Sequence, residues 1–278
     1  MTNPIHVRIA RFLIGLVCAL GAALAVAQEY PAKPINIVVP LLAGSASDVI
    51  GRTFAPEFSK ALGQPVIIDN KAGAATTIGA SYVVKSPPDG YTVLLATSST
   101  LSVLPSVQAM PFDPVKDLMP VAAYARTPMM VLVSAESPYK SLAEFVSAAR
   151  AAPGKLTFAS TGVGTVTYMA VELFSVVANI RLTHVPYKAS AGSYTDVMGG
   201  RVDMVMGAPA STMALITGGK FRPLAISSPQ RSPALPNVPT FAELGFAGAE
   251  SDYFDGLAVP AGTPKAIVAR LEAEALKI

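Results

Sequence analysis

Three stretches of this chain place glycine beside small hydroxyl-bearing residues where such residues can do chemistry. They are Ala43-Gly44-Ser45-Ala46-Ser47-Asp48, Asn70-Lys71-Ala72-Gly73-Ala74-Ala75-Thr76-Thr77-Ile78-Gly79 and Ser160-Thr161-Gly162-Val163-Gly164-Thr165-Val166-Thr167. Each follows a short apolar run that reads as a strand and precedes a helical pattern. Such a loop leaves N–H groups and hydroxyls free at a helix N-terminus, on the carboxyl side of a strand. Unpaired N–H groups at the positive end of a helix dipole hold an anion without a cationic side chain. Glycine and serine also make plain tight turns, and one such loop alone reads as a turn. Three of them, in two halves of the chain, point to an anion site. A nucleotide site does not fit: the first strand–helix unit has no G-x-G-x-x-G, and G-x-x-x-x-G-K-[ST] occurs nowhere.

Reactive side chains are scarce. His6, Arg8 and Arg11 precede an apolar run from Phe12 to Ala25, followed by Ala25-Val26-Ala27. This reads as an export signal at residues 1–27, cleaved near Ala27, with a mature start near Gln28. The run falls short of the roughly 20 apolar residues that span a membrane. Cleavage removes Cys18 and His6, leaving His184 as the one histidine and no thiol. That excludes a disulfide scaffold, a Cys–His dyad and a clustered zinc site, so no metal and no cofactor is expected. His184 lies in the extended, proline-bounded segment Thr183-His184-Val185-Pro186-Tyr187-Lys188, and no G-x-S-x-G accompanies it. A structural histidine is the stronger reading; an exported serine hydrolase pairing a loop serine with His184 is the alternative. Tyr187 and Lys188 open a loop into the next helix, with cleft lining and plain surface both open to them. Asp48 and Asp196 read as braces of their loops rather than general bases, since no second acid is spaced to pair with either.

The elements that must position these loops follow an alternating strand–helix pattern, the mark of an α/β architecture. At 278 residues the chain makes one large or two modest domains. Hydrophobic residues at 51% and charged residues at 14% exclude disorder. A net charge of +3 without any Lys/Arg run leaves no nucleic-acid footprint. Strands are expected at 35–39, 66–69, 93–96, 129–133, 156–159 and 202–206. Helices are expected at 49–62, kinked by Pro56, from the Ser141–Glu144 capping box to Ala149, after the third glycine loop, and at 190–198. A final helix has Pro264 in its first turn. It reaches Ile278 without a C-cap, so either it is terminal or the sequence is truncated.

Several motifs occur together in a fixed order: Tyr30-Pro31-x-Lys33-Pro34-Ile35, the Pro40…Ala43-Gly44…Asp48 loop, Leu62-Gly63-Gln64-Pro65-Val66, Asn70-Lys71-x-Gly73-Ala74, Pro88-Asp89-Gly90-Tyr91-Thr92, Val185-Pro186-Tyr187-Lys188 and Leu235-Pro236-Asn237-Val238-Pro239-Thr240. In this the chain resembles the Bug/TctC family, periplasmic substrate-binding receptors of tripartite tricarboxylate transporters in Gram-negative bacteria. The resemblance spans residues 30 to 272. It implies an α/β, two-lobe periplasmic-binding-protein type II fold with a ligand cleft between the lobes. Lobe one would be residues 28–125 plus 225–278, and lobe two residues 126–224. It further implies a non-enzymatic periplasmic monomer that takes a small carboxylate (a di- or tricarboxylate, an acidic amino acid or an aromatic acid) to membrane permease subunits. Residues expected to line or shape the site are Ser45, Asp48, Ala74, Thr76, Ser98, Thr161, Gly164, Thr165, Tyr187 and Asp196. The chain departs from the family pattern at Gly44-Ser45, where Gly-Gly is frequent, at Ala75, where glycine is common, and at Tyr168, where relatives often carry histidine. Relatives usually continue some tens of residues beyond the last helix.

Overall fold

The computed structural model describes residues 30–278; the export-signal reading of residues 1–27 lies outside the described residues. In chain order the first group of elements is β1 (Ile35–Val39), α1 (Ala46–Leu62), β2 (Val66–Asn70), α2 (Thr77–Val84), β3 (Thr92–Thr97), α3 (Leu104–Val107) and β4 (Leu118–Pro128). The second is β5 (Met130–Ser134), α4 (Leu142–Ala151), β6 (Thr157–Ser160), α5 (Val166–Ala178), β7 (Thr183–Pro186), α6 (Ser190–Met198), β8 (Met204–Gly207), α7 (Pro209–Thr217) and β9 (Phe221–Ile226). The chain then returns through β10 (Asp252–Pro260) and α8 (Lys265–Ala275).

These strands build two five-stranded sheets, ordered β2-β1-β3-β10-β4 and β7-β6-β8-β5-β9. In the first, β1 runs parallel to β2 and β3, while β10 is antiparallel to β3 and β4. The second repeats the scheme, with β6 parallel to β7 and β8 and β5 antiparallel to β8 and β9. Only Met129 separates β4 from β5, so the chain steps from one sheet to the other without a loop.

Strands covered on both faces read as near-continuous apolar runs, and the cores follow. Phe54, Phe58 and Leu62 of α1 pack on Ile35, Ile37, Leu95 and Leu257. Val38, Leu94, Ala80, Val83 and Phe112 fill the opposite face of that sheet. Phe145, Phe158, Phe174, Phe241, Met204 and Met206 form the core of the second half.

Local chemistry corrects two boundaries. Helix α1 begins at Ala46 rather than Val49, because extended Ser45 caps it, its Oγ accepting from the Asp48 N–H at 3.3 Å. The same helix continues through Pro56 to Leu62, keeping Phe54 and Phe58 on the buried face. The last helix begins at Lys265, with Pro264 at the cap in a non-helical conformation (ψ 133°) rather than in the first turn. Strands β4 and β10, absent from the sequence reading, pair over their whole lengths and supply the antiparallel side of the first sheet.

Among the described residues no helix is long and apolar enough to cross a membrane.

Candidate functional site

Four helices point their N-termini at one cleft. Ser45, Ala46 and Ser47 of α1, Thr165, Val166 and Thr167 of α5, Ser190 of α6, and Ala208 and Ser211 at the start of α7 line its inner compartment. Leu41, Thr97, Ser99, Met129, Thr161, Tyr194 and Tyr253 complete the wall, and no charged side chain belongs to it. The inner compartment has a volume of about 70 Å³. An outer compartment of about 460 Å³ shares Leu41, Thr161 and Thr165 with it and adds Ala72 to Thr76, Tyr187 and Lys188. All three loops singled out in the sequence therefore face this cleft.

The loops touch across it. The Val166 N–H at the start of α5 donates to Ser99 Oγ at 3.0 Å, bridging the two sheets. Gly164 (φ +79°) rides over α3 so closely that a Cβ there would lie 2.9 Å from Val107 Cγ2 and 3.0 Å from Leu104 Cδ2. The two halves thus touch at the cleft.

Each loop is held by its own hydroxyls. Thr165 Oγ1 donates to the Gly162 carbonyl at 2.7 Å and accepts from the Tyr168 N–H at 3.4 Å, capping α5. Thr167 Oγ1 lies 3.0 Å from Thr165 Oγ1 and 3.2 Å from Thr161 Oγ1. In the second loop Ala74, Ala75 and Thr76 all have positive φ, at 45°, 51° and 92°. Such angles cost non-glycine residues of order 1–3 kcal/mol each and persist only where surroundings over-determine them. Here Thr100 Oγ1 donates to Thr76 Oγ1 at 2.9 Å, tying the loop to the segment after β3.

Other expected site residues are placed as braces behind the wall. Asp48 is buried, and its carboxylate accepts from the Gly44 N–H, Asn70 Nδ2 (both 2.9 Å) and Arg52 Nε (3.1 Å). Burial alone would raise its pKa, but these bonds, Arg52 first, hold the carboxyl below the usual range. Ser98 Oγ accepts from the Phe254 N–H at 3.0 Å, fastening the end of β3 to β10. Asp196 accepts from Tyr187 OH at 2.6 Å and from Arg201 Nε at 2.8 Å. The Tyr187 and Arg201 bonds lower the Asp196 pKa, whereas burial and Asp196 push the Tyr187 phenol up to about 12. Ser45, Thr161 and Thr165 line the inner compartment, Ala74, Thr76 and Tyr187 the outer one.

His184 does meet a serine. Its Nε2 lies 2.7 Å from Ser160 Oγ, which also accepts from the Gly162 N–H at 3.1 Å. Ser160 is buried and neither residue lines the cleft. The imidazole stacks on Phe158 and meets the edge of Tyr168, and burial lowers its pKa toward the neutral form.

Sequence reasoning missed Ser47, Thr97, Ser99, Thr167, Ser190, Tyr194 and Ser211 as lining groups. Four had a readable signal: Ser47 and Thr167 lie within the first and third glycine loops, and Ser190 and Ser211 follow the β7 and β8 runs at strand-to-helix turns, the last marked by Pro209. Met129 and Tyr253 arrive from the crossing strands and had none.

Comparison with known proteins accords with this geometry. Residues 50–277 match the model of the tripartite tricarboxylate transporter family receptor. Protein BugT of Bordetella pertussis is 35% identical over 264 residues, covering 92% of this chain and 80% of BugT. MatC from Rhodopseudomonas palustris, solved with bound malate, is 30% identical with a TM-score of 0.84 over 89% of this chain and 85% of MatC. R. palustris Rpa4515, solved with adipate, is 34% identical with a TM-score of 0.84 over 89% of this chain and 83% of its own. These matches to binding-protein structures also bear out the expected fold class. The chain belongs to the tripartite tricarboxylate transporter receptor family, the family of periplasmic solute-binding proteins to which Bug proteins belong.

Proposed function

We propose that the protein is an extracytoplasmic receptor that captures a small carboxylate between two lobes, one built on each five-stranded sheet. In this reading it works in the periplasm as a monomer, its leader removed near Ala27, and delivers its ligand to the permease subunits of a tripartite tricarboxylate transporter. One observation carries the proposal: four helix N-termini converge on a compartment whose wall holds no charged side chain. First-turn N–H groups and hydroxyls then supply the positive potential and the donors an anion needs. The malate and adipate bound by MatC and Rpa4515 support a carboxylate as that anion. Ligand contacts from both halves favour the closed state, because only closure brings all of them together.

A thermal-shift panel of mono-, di- and tricarboxylates and amino acids tests this. At about 100 times its dissociation constant, a ligand adds roughly 2.7 kcal/mol of stability, or about 5–10 °C in a chain of this size. Absence of any carboxylate shift overturns the reading.

The contact between Ser160 and His184 keeps the hydrolase alternative specific. A hydrolase loses turnover of carboxylic esters when His184 becomes alanine. In the receptor, His184→Ala is expected to leave the carboxylate shift in place while lowering the melting temperature, since the Phe158 and Tyr168 contacts go with the ring.

A further inference from the structure

A carboxyl group lies buried directly behind the wall of the cleft. Asp255 of β10 is fully buried; its Oδ1 accepts from Ser47 Oγ at 2.7 Å, and its Oδ2 has no hydrogen-bond partner among the described residues. Ser47 lines the inner compartment, as do Thr97, opposite Asp255 on β3, and Tyr253, two residues earlier on β10. An ionised carboxylate at this depth opposes a negatively charged guest, so the helix-terminus account of the cleft leaves Asp255 unexplained.

The direction of one hydrogen bond supplies the explanation. Ionised Asp255 can only accept, so Ser47 commits its single proton to it and presents oxygen lone pairs to the cleft. Protonated Asp255 donates to Ser47 Oγ instead, and the Ser47 hydroxyl becomes free to donate to a ligand carboxylate. We propose that Asp255 is a positioning residue that sets, through Ser47, whether this part of the cleft donates or accepts, so that a carboxylate ligand is bound together with one proton held on Asp255. This rests on the reading of the cleft as a carboxylate site.

The surroundings suit such a role. On β4, Tyr124 sits at the register shift beside Asp255, and Tyr253 lies two residues before it on β10; burial first, and Asp255 second, raise both phenols well above their ordinary value, so both stay neutral. Arg126 of β4 is turned to Asp252 at an exposed edge. On α1 the charged residue next to Ser47 in sequence is Asp48, engaged with Arg52. Strand β3 carries no charged residue and α2 only the exposed Tyr82 as a titratable group. With no cation to offset it, burial lifts the Asp255 carboxyl to about 7, against the lowering effect of the Ser47 hydrogen bond.

The test measures malate and adipate affinity at pH 6 and pH 8 for the wild type and for Asp255→Asn. Proton uptake is counted by calorimetry in two buffers of different ionisation enthalpy. The wild type is expected to bind about tenfold more weakly at pH 8 than at pH 6, since each pH unit above the carboxyl's pKa removes a factor of ten. At pH 8 it takes up close to one proton per ligand. The asparagine amide can donate to Ser47 at any pH, so Asp255→Asn binds about tenfold more tightly than the wild type at pH 8, with a flat profile. A wild-type affinity constant within twofold across this range, no proton uptake, or an unchanged slope in the variant overturns the proposal while leaving the receptor reading standing. If no carboxylate binds at either pH, both fall. The wild-type proton count decides the matter even if Asp255→Asn does not fold.

Discussion

Replacing Gly164 with valine is expected to weaken binding of the proposed carboxylate ligand by about 30- to 150-fold while leaving most of the fold intact. The backbone there has φ +79°, which a β-branched residue adopts only under strain. A Cβ would stand 2.9 Å from Val107 and 3.0 Å from Leu104, and valine adds two methyls beyond it. Val107 is half exposed and can yield, but Leu104 is fully buried and cannot move away cheaply. Overpacking of this kind costs about 2–3 kcal/mol. It falls on the closed state alone, because Gly164 meets α3 only where the two halves touch, so the whole cost appears in the affinity. Calorimetry gives the affinity, and small-angle scattering gives the ligand-dependent compaction that valine should abolish. Binding within threefold of the wild type would show that this contact does not govern closure.

Loss of the Asp48 side chain should act on stability and binding together. Asp48→Ala removes the acceptor of the Gly44 N–H and of Asn70 Nδ2 and breaks the Arg52 pair. Arg52 is half exposed, so the ion pair itself contributes at most about 1 kcal/mol. Loss of the two part-buried hydrogen bonds to this charged acceptor, from the Gly44 N–H and Asn70 Nδ2, brings the expected total to about 2–3 kcal/mol. The Ser45–Ser47 turn, which Asp48 ties down through Gly44, then loosens, and affinity for the proposed carboxylate ligand falls roughly tenfold or more. Urea unfolding reads the first effect and calorimetry the second. The pH dependence has a definite sign. The folded carboxyl is held below its unfolded value, so its contribution is complete above about pH 4 and fades as the pH drops through the folded value. The stability gap between wild type and Asp48→Ala should therefore close in strong acid. A gap that persists unchanged there would show that Asp48 acts through packing and not through its charge.

Much of the first half of each sheet was legible locally. The runs Ile35–Val39 and Thr92–Thr97 are apolar because both faces of these inner strands are covered, and Val66–Asn70, an edge strand with Ile67 half exposed, still reads as a strand from its β-branched run; neither pattern needs knowledge of the neighbours. Strand β4 was not legible: Leu118–Pro128 is an edge strand with buried and exposed residues in irregular order, interrupted by register shifts against β10. Its pairing partner lies more than a hundred residues away, so nothing near it in sequence declares it a strand. The site divides in the same manner. Ser45, Thr161 and Thr165 could be found because a glycine-containing strand-to-helix turn advertises free N–H groups. Tyr253, Met129 and Asp255 could not, since each reaches the cleft only through the crossing of β4, β5 and β10 between the sheets.

The sequence by itself set the kind of chemistry to expect of this protein: small hydroxyls and bare helix ends, with one histidine and no thiol beyond residue 27, make anion recognition the readable expectation. These are local properties of composition and turn geometry, carried wherever the chain goes. Tertiary structure alone decided that four of those helix ends share one cleft, that Ser98, Asp48 and Asp196 stand behind its wall, and that an acid lies buried beneath Ser47. The physical reason is that convergence and burial depend on the relative placement of two sheets, set by long-range strand pairing, and no short window of sequence encodes it.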